Sequence, residues 1–421
     1  MVKPGYKQTE LGVIPEDWKI KKLINLSDGG MQNGTFYESA RKGTGVYFLN
    51  VGNLYETAPI SPHTLEKFDA SKDEIDRFRI KNGDLFFTRS SIVPSGIAYC
   101  NWYKDTGNCV TVFDSHVVRF KTDTEQVDPM YLYLQCISQE SRKYFISNAK
   151  VATMTTIDQA QIGNCLIPVP SLGEQASIAE VVSNAGSMID LLKKLIAKKK
   201  AIKQGAMQEL LTGKKRLPGF SGEITYQPLK SLCTVFSDGD WIESKDQSSD
   251  GIRLIQTGNV GNGRYIDKQE KQRFISVDTF NRLNCLEIFE GDVLISRLPD
   301  PAGRACILPP SNKRRITAVD CTVVRFSSYN PVLFVAYSQT KLYQEKVEMA
   351  MAGSTRQRIS RKELGEIPIP VFPTIEEQNT VASIFANMDA EIEALEQKLA
   401  KYRQVKQGMM QQLLTGKIRL V

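Results

Sequence analysis

The sequence predicts an α+β protein made of two copies of one unit, each a β-rich globular part followed by a long helix. Self-comparison gives the first reason: residues 174–217 and 377–420 align without a gap at an offset of 203, with 20 of 44 positions identical. The second reason is local pattern, because short runs of Val, Ile, Phe and Tyr between Gly, Asn, Asp and Pro indicate strands and turns. We therefore expect two similar β-rich globular domains separated by two long antiparallel coiled-coil helices, with an approximate two-fold internal repeat.

The repeat continues more weakly through the globular parts. The segment NGDLFFTR at 82–89 matches EGDVLISR at 290–297, and the tripeptide VRF at 118–120 returns at 324–326. Since the helical parts have diverged least, we expect them to perform one task twice and the globular parts to perform related but different tasks. The predicted domains are two globular regions, 1–170 and 216–370, and two conserved helical regions, 171–215 and 371–421.

Heptad spacing of apolar residues predicts that the two conserved helices pack on each other. Ser171 and Thr374 are suited to cap their N-termini, and Gly213 and Gly416 to end them. At 1.5 Å per residue, about 38 residues span roughly 55 Å. In an antiparallel pairing the globular domains would then lie at opposite ends of a rod. The predicted helix-pairing residues are Ile178, Val182, Ile189, Leu192, Ile196, Val381, Phe385, Met388, Ile392, Leu395 and Leu399.

Composition excludes several classes of protein. The length of 421 residues suggests two to four domains. Hydrophobic residues make up 41% of the chain and charged residues 24%, values that are ordinary for globular proteins. No apolar run is long enough for a spanning helix and the start lacks the apolar core of a signal peptide, so we expect a cytoplasmic protein. Eight cysteines without a CxxC pair predict reduced thiols and no structural zinc.

The motifs of an enzyme are missing from the sequence. Two histidines leave little material for His-dependent catalysis. No Asn-Pro-Pro-Tyr-like tetrad, no glycine loop for S-adenosylmethionine and no GxxxxGK[ST] loop for ATP occurs, and the glycine cluster GNVGNG at 258–263 has the composition of a turn. We therefore expect no catalytic residues, no metal and no cofactor.

The predicted geometry suits a long, approximately two-fold symmetric target, and duplex DNA has this symmetry. A net charge of +7 permits a polyanionic partner without requiring one. The first helical region has many lysines between Lys193 and Lys215. Two interpretations remain open: these lysines bind DNA, or they form a solvated helix face.

Three segments carry a family resemblance: GYKQTELGVIPEDWKIKKL at 5–23, TRQRISRKELGEIPIPVFPTIEEQ at 355–378, and the doubled LLTGKxRL. Over nearly the full length, the chain resembles the DNA-specificity subunit of type I restriction-modification systems. The resemblance implies two target-recognition domains that read the halves of a bipartite, asymmetric DNA sequence. It also implies helices that fix the gap and dock two methyltransferase subunits, with restriction and translocase subunits recruited through that complex.

Candidate DNA contacts are polar or basic side chains, which commonly lie on loops or helix ends. For Arg89 and Arg297 the alternative is a structural ion pair with Asp84 or Asp292, and for residues 41–42 and 313–315 it is a solvated loop. The candidates are Arg41, Lys42, Arg89, Ser90, Ser91, Thr153, Thr155, Arg297, Lys313, Arg314, Arg315, Thr355, Arg356 and Arg358. Two other functions remain open: a self-contained nuclease or methyltransferase, and a duplicated non-catalytic scaffold for two protein ligands.

Overall fold

The computed structural model describes residues 3–299, 301–351 and 358–420. The chain forms two compact units, unit 1 (Met1–Leu191 with Leu399–Val421) and unit 2 (Leu192–Lys398). Each unit therefore contains one globular part together with portions of both long helices.

Unit 1 begins with fourteen short strands and four short helices, and the first long helix starts in it. The strands are β1 Tyr6–Thr9, β2 Gly12–Pro15, β3 Lys19–Lys22, β4 Ser27–Asn33, β5 Lys42–Leu49, β6 Glu66–Phe68, β7 Leu85–Thr88, β8 Ser90–Ser91, β9 Cys100–Trp102, β10 Thr111–Phe113, β11 Val117–Thr122, β12 Lys150–Val151, β13 Thr155–Thr156 and β14 Leu166–Val169. The helices are α1 Lys72–Phe78, α2 Pro129–Cys136, α3 Gln139–Ser147, α4 Gln159–Gly163 and the long α5 Leu172–Leu210.

Unit 2 continues in the same style and contains most of the second long helix. Its strands are β15 Thr225–Pro228, β16 Cys233–Asp238, β17 Gln247–Ser248, β18 Ile252–Ile255, β19 Arg273–Ile275, β20 Val293–Ser296, β21 Ala305–Ile307, β22 Arg315–Thr317, β23 Cys321–Phe326 and β24 Pro368–Val371. The helices are α6 Val277–Leu283, α7 Pro331–Ser338, α8 Lys341–Met351, α9 Arg361–Glu366 and α10 Ile375–Leu413.

The main sheets of the two units share a strand order, and unit 2 adds β17 beside β19. A four-stranded antiparallel sheet has the order β4-β11-β7-β9 in unit 1 and β16-β23-β20-β21 in unit 2. A second sheet pairs β10 parallel to β5 and β5 antiparallel to β6, as β22 pairs with β18 and β18 with β19. A two-stranded ribbon, β3 with β14 or β15 with β24, leads into each long helix. The predicted fold class and internal repeat are confirmed.

Ion pairs link the Gly-Asp and Val-Arg-Phe motifs in both units. In unit 1 the Arg119 Nε donates to Asp84 Oδ2 at 2.8 Å, and both side chains are buried. In unit 2 the Arg325 Nε donates to Asp292 Oδ1 at 2.7 Å. Burial raises the pKa of Asp84 above its usual range even beside the guanidinium. Each pair joins the turn before a central strand to the neighbouring strand.

The predicted capping residues lie at or near the ends of the long helices, which end at Leu210 and Leu413. The Ser171 hydroxyl accepts a hydrogen bond from the Glu174 N–H, and the Thr374 hydroxyl accepts one from Glu377. At the other end Gly213 has φ +73° and Gly416 φ +68°, the left-handed conformation that favours glycine after a helix. Both helices have 39 residues.

Within each unit, the segments of the two helices run antiparallel. In unit 2, Lys203 lies 2.5 Å from Asp389 and Lys199 lies 2.6 Å from Glu391, so ascending positions on α5 meet descending positions on α10. Most predicted helix-pairing residues are buried, whereas Met388, Leu395 and Leu399 are only half-buried. Their role in helix pairing stays a prediction.

A reciprocal ion pair ties each helix start to the end of the other conserved region. In unit 1, Arg419 Nε donates to the buried Glu174 at 2.6 Å; in unit 2, Arg216 Nε donates to the buried Glu377 at 2.8 Å. The two pairs occupy equivalent positions, since both partners are displaced by the repeat offset of 203. The pairs therefore account for the Arg and Glu that recur in the conserved segments.

All eight cysteines are free thiols, and six of them are buried. Among the described residues, no helix combines the length and apolar character needed to cross a membrane.

Candidate nucleic-acid interface

A small sheet in unit 1 brings together two groups of predicted DNA-contacting residues. Strand β13 pairs antiparallel with β8, so that Thr155 lies opposite Ser91 and Thr156 opposite Ser90. The Ile157 N–H donates to the Arg89 carbonyl at 3.1 Å and extends this pairing by one residue. Residues 89–91 and 155–156, distant in sequence, are therefore neighbours.

Beside this sheet lies a polar cleft of about 370 Å³. Arg89 is exposed there, and within the described part of the chain no carboxylate forms an ion pair with its guanidinium. One acidic residue, Asp158, lines the cleft, but its carboxylate accepts from the Gln161 N–H and caps α4. The cleft therefore combines Arg89, which has no ion-pair partner among the described residues, with a second cation, Lys150, and one capping carboxylate. Its neutral polar lining residues are Asn33, Thr156, Gln159 and Gln161.

Asn33, the last residue of β4, is held in place from two sides. Its side-chain amide donates to the Ser115 carbonyl at 2.9 Å, and its Oδ1 accepts from Gln159 Nε2 at 2.5 Å. Because Asn33 is neutral, it places no negative charge beside Arg89.

Unit 2 carries a different set of side chains at the equivalent place. Strand β16 ends at Asp238, which corresponds to Asn33, and the Arg297 Nε lies 3.2 Å from Asp238 Oδ1. Arg297 is only 2% exposed, and its Nη2 donates to the Val319 carbonyl at 2.7 Å. The ion-pair alternative therefore holds for Arg297, but with Asp238 as partner.

The two aspartates predicted as partners of Arg89 and Arg297 are wrong. Asp84 pairs with Arg119 and Asp292 pairs with Arg325.

Other arginines supply the exposed charge of this region in unit 2. Arg361, equivalent to Gln159, lies 3.9 Å from Asp238, and Arg358, equivalent to Thr156, donates to Asp320 at 3.0 Å. The side chains of Arg361 and Arg358 are 47% and 44% exposed, so both keep donors free for a ligand. The predicted contacts Thr355 and Arg356 lie outside the described residues.

Arg41 and Lys42 are paired to carboxylates. Arg41 donates to Glu74 through Nη1 at 3.2 Å and stacks over the Phe68 ring at 4.4 Å, while Lys42 lies 2.8 Å from Glu66. The Arg41 guanidinium lowers the pKa of Glu74 to about 2, because its hydrogen bond has a larger effect than the partial burial that raises this pKa. Arg41 and Lys42 are therefore each already paired with one carboxylate.

The basic triplet at 313–315 divides in three ways. Lys313 lies 5.0 Å from the Phe274 ring centre, Arg314 donates to Glu287 at 2.8 Å, and the buried Arg315 donates to the Pro309 carbonyl at 2.8 Å. Only Lys313 and Arg314 are exposed. A phosphate clamp of three arginine and lysine side chains is therefore reduced to two.

The remaining predicted residues differ in exposure. Ser90 and Ser91 are half-buried, Thr153 is exposed and Thr155 is buried. The lysines of α5 do not form a free basic face along their whole length, because Lys199, Lys200 and Lys203 pair with acidic residues of α10. In the described parts of the chain, no group of His, Cys, Asp or Glu could hold a metal ion.

Sequence reasoning missed Asn33, Lys150 and Gln159 in unit 1 and Asp238 and Arg361 in unit 2. The detectable signal was the alignment of NGTFYES at 33–39 with DGDWIES at 238–244, which places Asn33 opposite Asp238. The functional consequence of this Asn-to-Asp difference depends on which arginine lies beside each residue, and strand pairing in the sheet sets that.

Comparison with known families matches both halves of the chain. A family model described as the type I restriction modification DNA specificity domain matches residues 15–201 and again 223–402. The putative type I restriction enzyme MjaX specificity subunit of Methanocaldococcus jannaschii is 23% identical over 437 aligned residues, covering 99% of this chain and 97% of that protein. The EcoKI specificity subunit of Escherichia coli K12 is 21% identical over 226 residues, or 51% of this chain and 47% of that protein.

Solved structures have the same fold. The S subunit of a type I restriction-modification system from M. genitalium aligns with a TM-score of 0.59 at 14% identity, covering 94% of this chain and 96% of that one. A chain from a structure of a type I R-M system, described for its complex assembly and conformational transition, aligns with a TM-score of 0.55 at 15% identity over 96% of this chain and 99% of that one.

Proposed function

Because the chain belongs to the family of type I restriction-modification DNA specificity domains, we propose that its two globular parts are target-recognition domains for a bipartite, asymmetric DNA sequence. As a specificity subunit the chain is not itself an enzyme; methylation and cleavage belong to other subunits. One observation carries the proposal of unequal half-sites. Equivalent positions hold a free Arg89 beside neutral Asn33 in unit 1, but a buried Arg297 beside Asp238 in unit 2.

This difference has a direct chemical consequence for recognition. A free guanidinium can donate two hydrogen bonds to a guanine edge or approach a phosphate, whereas Arg297 is occupied by Asp238 and by main-chain carbonyls. In unit 2, the exposed Arg358 and Arg361 would contact the nucleic acid instead. The two domains would then prefer different base sequences although their folds are the same.

We further propose that the conserved helical regions dock two methyltransferase subunits and that restriction and translocase subunits join through this complex. Supporting this, these regions are the most similar part of the two repeats, with 20 of 44 positions identical between 174–217 and 377–420, as two equivalent docking sites would require. We place the assembly in the cytoplasm, in keeping with the free thiols of all eight cysteines.

Salt dependence of duplex binding tests the DNA-binding proposal against the scaffold alternative. The logarithm of the association constant should fall linearly with the logarithm of salt concentration, with a slope of about −0.9 for each phosphate neutralised. Fluorescence anisotropy of labelled random-sequence duplex measures this slope for the full chain, with and without methyltransferase subunits. If no duplex binds at any salt concentration in either form, the scaffold remains and the DNA-binding proposal is refuted.

A matched insertion tests whether the helices set the gap between half-sites. Seven residues added after Leu195 and seven after Lys398, its equivalent, preserve the heptad pattern and add about 10.5 Å to each helix. At 3.4 Å per base pair, the unread gap should grow by about three base pairs while both half-sites stay the same. Sequencing of methylated sites reads the gap directly, and an unchanged gap rejects the ruler role.

A further inference from the structure

A projecting aromatic side chain occupies the same position in both globular parts. Phe36 comes three residues after the end of β4, and Trp241 three residues after the end of β16. Phe36 is 76% exposed and Trp241 70% exposed, values unusual for such large apolar groups. Neither residue has a role in the recognition sites described above.

The backbone that carries each aromatic residue is fixed in the same way. In unit 1 the Thr35 N–H donates to the Phe113 carbonyl at 2.9 Å, and in unit 2 the Asp240 N–H donates to the Thr317 carbonyl at 2.8 Å. The preceding glycines allow this approach, because a Cβ on Gly34 would lie 1.9 Å from the Phe113 oxygen. A Cβ on Gly239 would likewise lie 2.3 Å from the Thr317 oxygen.

The residue that follows each aromatic packs against its own domain, although Tyr37 keeps 42% of its surface exposed. Tyr37 packs against the Phe48 and Phe68 rings, with centres 5.6 and 6.1 Å away, and Ile242 packs against the cluster that contains Ile252. Because neighbouring side chains of extended backbone point to opposite sides, anchoring Tyr37 and Ile242 directs Phe36 and Trp241 outward. The projection is therefore built into the loop.

The chemistry of the loop favours a base over a phosphate as the contact. Glu38 and Glu243 lie two residues after the aromatics; Arg41 is 3.7 Å from Glu38 and Lys245 is 2.8 Å from Glu243, so the nearby cations are paired. An exposed ring whose own loop has its cations paired with carboxylates suits the face of a nucleobase or the gap between two bases.

The place of the loop also fits a base contact. The rings are three residues from Asn33 and Asp238, at most about 11 Å along an extended chain, so each lies next to the recognition residues of its own domain.

We propose that Phe36 and Trp241 contact DNA bases, each stacking on or inserting between bases of the half-site that its own domain reads. The proposal rests on the DNA-binding function proposed above and adds a second mode of recognition to it. Stacking is tolerant of sequence but sensitive to how easily a base step opens, so a Phe in one domain and a Trp in the other would favour different steps.

Tryptophan fluorescence gives a direct test, because Trp18 and Trp102 are buried and Trp241 is the exposed member of the three. Duplexes selected by the full chain from a randomised library serve as the probe. Binding should quench the emission of Trp241 and protect it from acrylamide, and the Trp241→Phe variant should lose this response. Adding Phe36→Trp to Trp241→Phe should restore it from unit 1.

Affinity supplies the second measurement. Phe36→Ala and Trp241→Ala should each weaken binding by roughly 5- to 150-fold, the loss expected for one stacked base, while Phe36→Tyr and Trp241→Phe keep most of the affinity. Thermal unfolding should stay unchanged, since both side chains are exposed. Wild-type affinity of both alanine variants, with tryptophan emission unaltered by DNA, overturns this inference alone, whereas failure of the wild-type chain to bind duplex overturns the proposed function as well.

Discussion

The same substitution at the two equivalent arginines should lower DNA affinity at Arg89 and protein stability at Arg297. Arg89→Gln removes an exposed cation without an ion-pair partner among the described residues, so its effect on unfolding should stay within about 0.5 kcal/mol. A lost bidentate base contact would cost about 1 to 3 kcal/mol of binding, a factor of roughly 5 to 150 in affinity. The substitution should therefore reduce DNA binding without changing stability.

Arg297→Gln should instead destabilise unit 2. Arg297 is 2% exposed, its Nε lies 3.2 Å from Asp238, and its Nη2 donates to the Val319 carbonyl. Removing one partner of a buried ion pair costs about 3 to 5 kcal/mol. Because Asp238 keeps the more distant Arg361 at 3.9 Å, we expect the lower figure, about 3 kcal/mol, or a fall in Tm of roughly 6 to 12 °C for a domain of this size.

Calorimetry and duplex binding on both variants, with Arg89→Lys and Arg297→Lys as charge-preserving controls, separate the two effects. Asn33→Asp adds a third variant: by placing a carboxylate where unit 2 has one, it should lower the DNA affinity of unit 1 as Arg89→Gln does. Equal losses of stability for Arg89→Gln and Arg297→Gln would refute the reasoning, as would unchanged DNA binding by both Arg89→Gln and Asn33→Asp.

Three further substitutions test ion pairs and packing. Arg41 holds the pKa of Glu74 at about 2, below its usual 4.5. This carboxylate therefore stabilises the fold above about pH 4.5, and its contribution disappears as pH falls towards 2. Glu74→Gln should lower the urea midpoint at pH 7 but not at pH 2, and equal losses at the two pH values would contradict this. Glu377→Gln leaves Arg216 without its buried partner and should cost about 3 kcal/mol in urea unfolding, whereas a loss below about 1 kcal/mol would mean the pair is not structural. Phe385→Ala empties a fully buried site and should cost about 3 to 5 kcal/mol by the same measurement, with an unchanged midpoint as the contrary result.

The architecture could be predicted from the amino-acid sequence, because the signals for it are local and repeated. The helix ends at Ser171 and Gly213 depend on hydrogen bonds and backbone angles within a few residues, and the heptad pattern depends on spacing along one helix. Likewise, strand and turn residues alternate over short distances, and the gapless repeat of the helices with the weaker motif matches upstream predicts one fold for both copies. Each of these features can be detected without knowing which distant residues meet.

The partners of the charged side chains, by contrast, could be identified only in the folded chain. Arg89 and Arg297 follow the same Gly-Asp turn, yet strand pairing gives the aspartates to Arg119 and Arg325 on the neighbouring strand. One residue at the end of another strand, neutral in unit 1 and acidic in unit 2, then determines whether the equivalent arginine is free or paired. Ion pairs and burial depend on distances across strands far apart in sequence, and folding sets those distances.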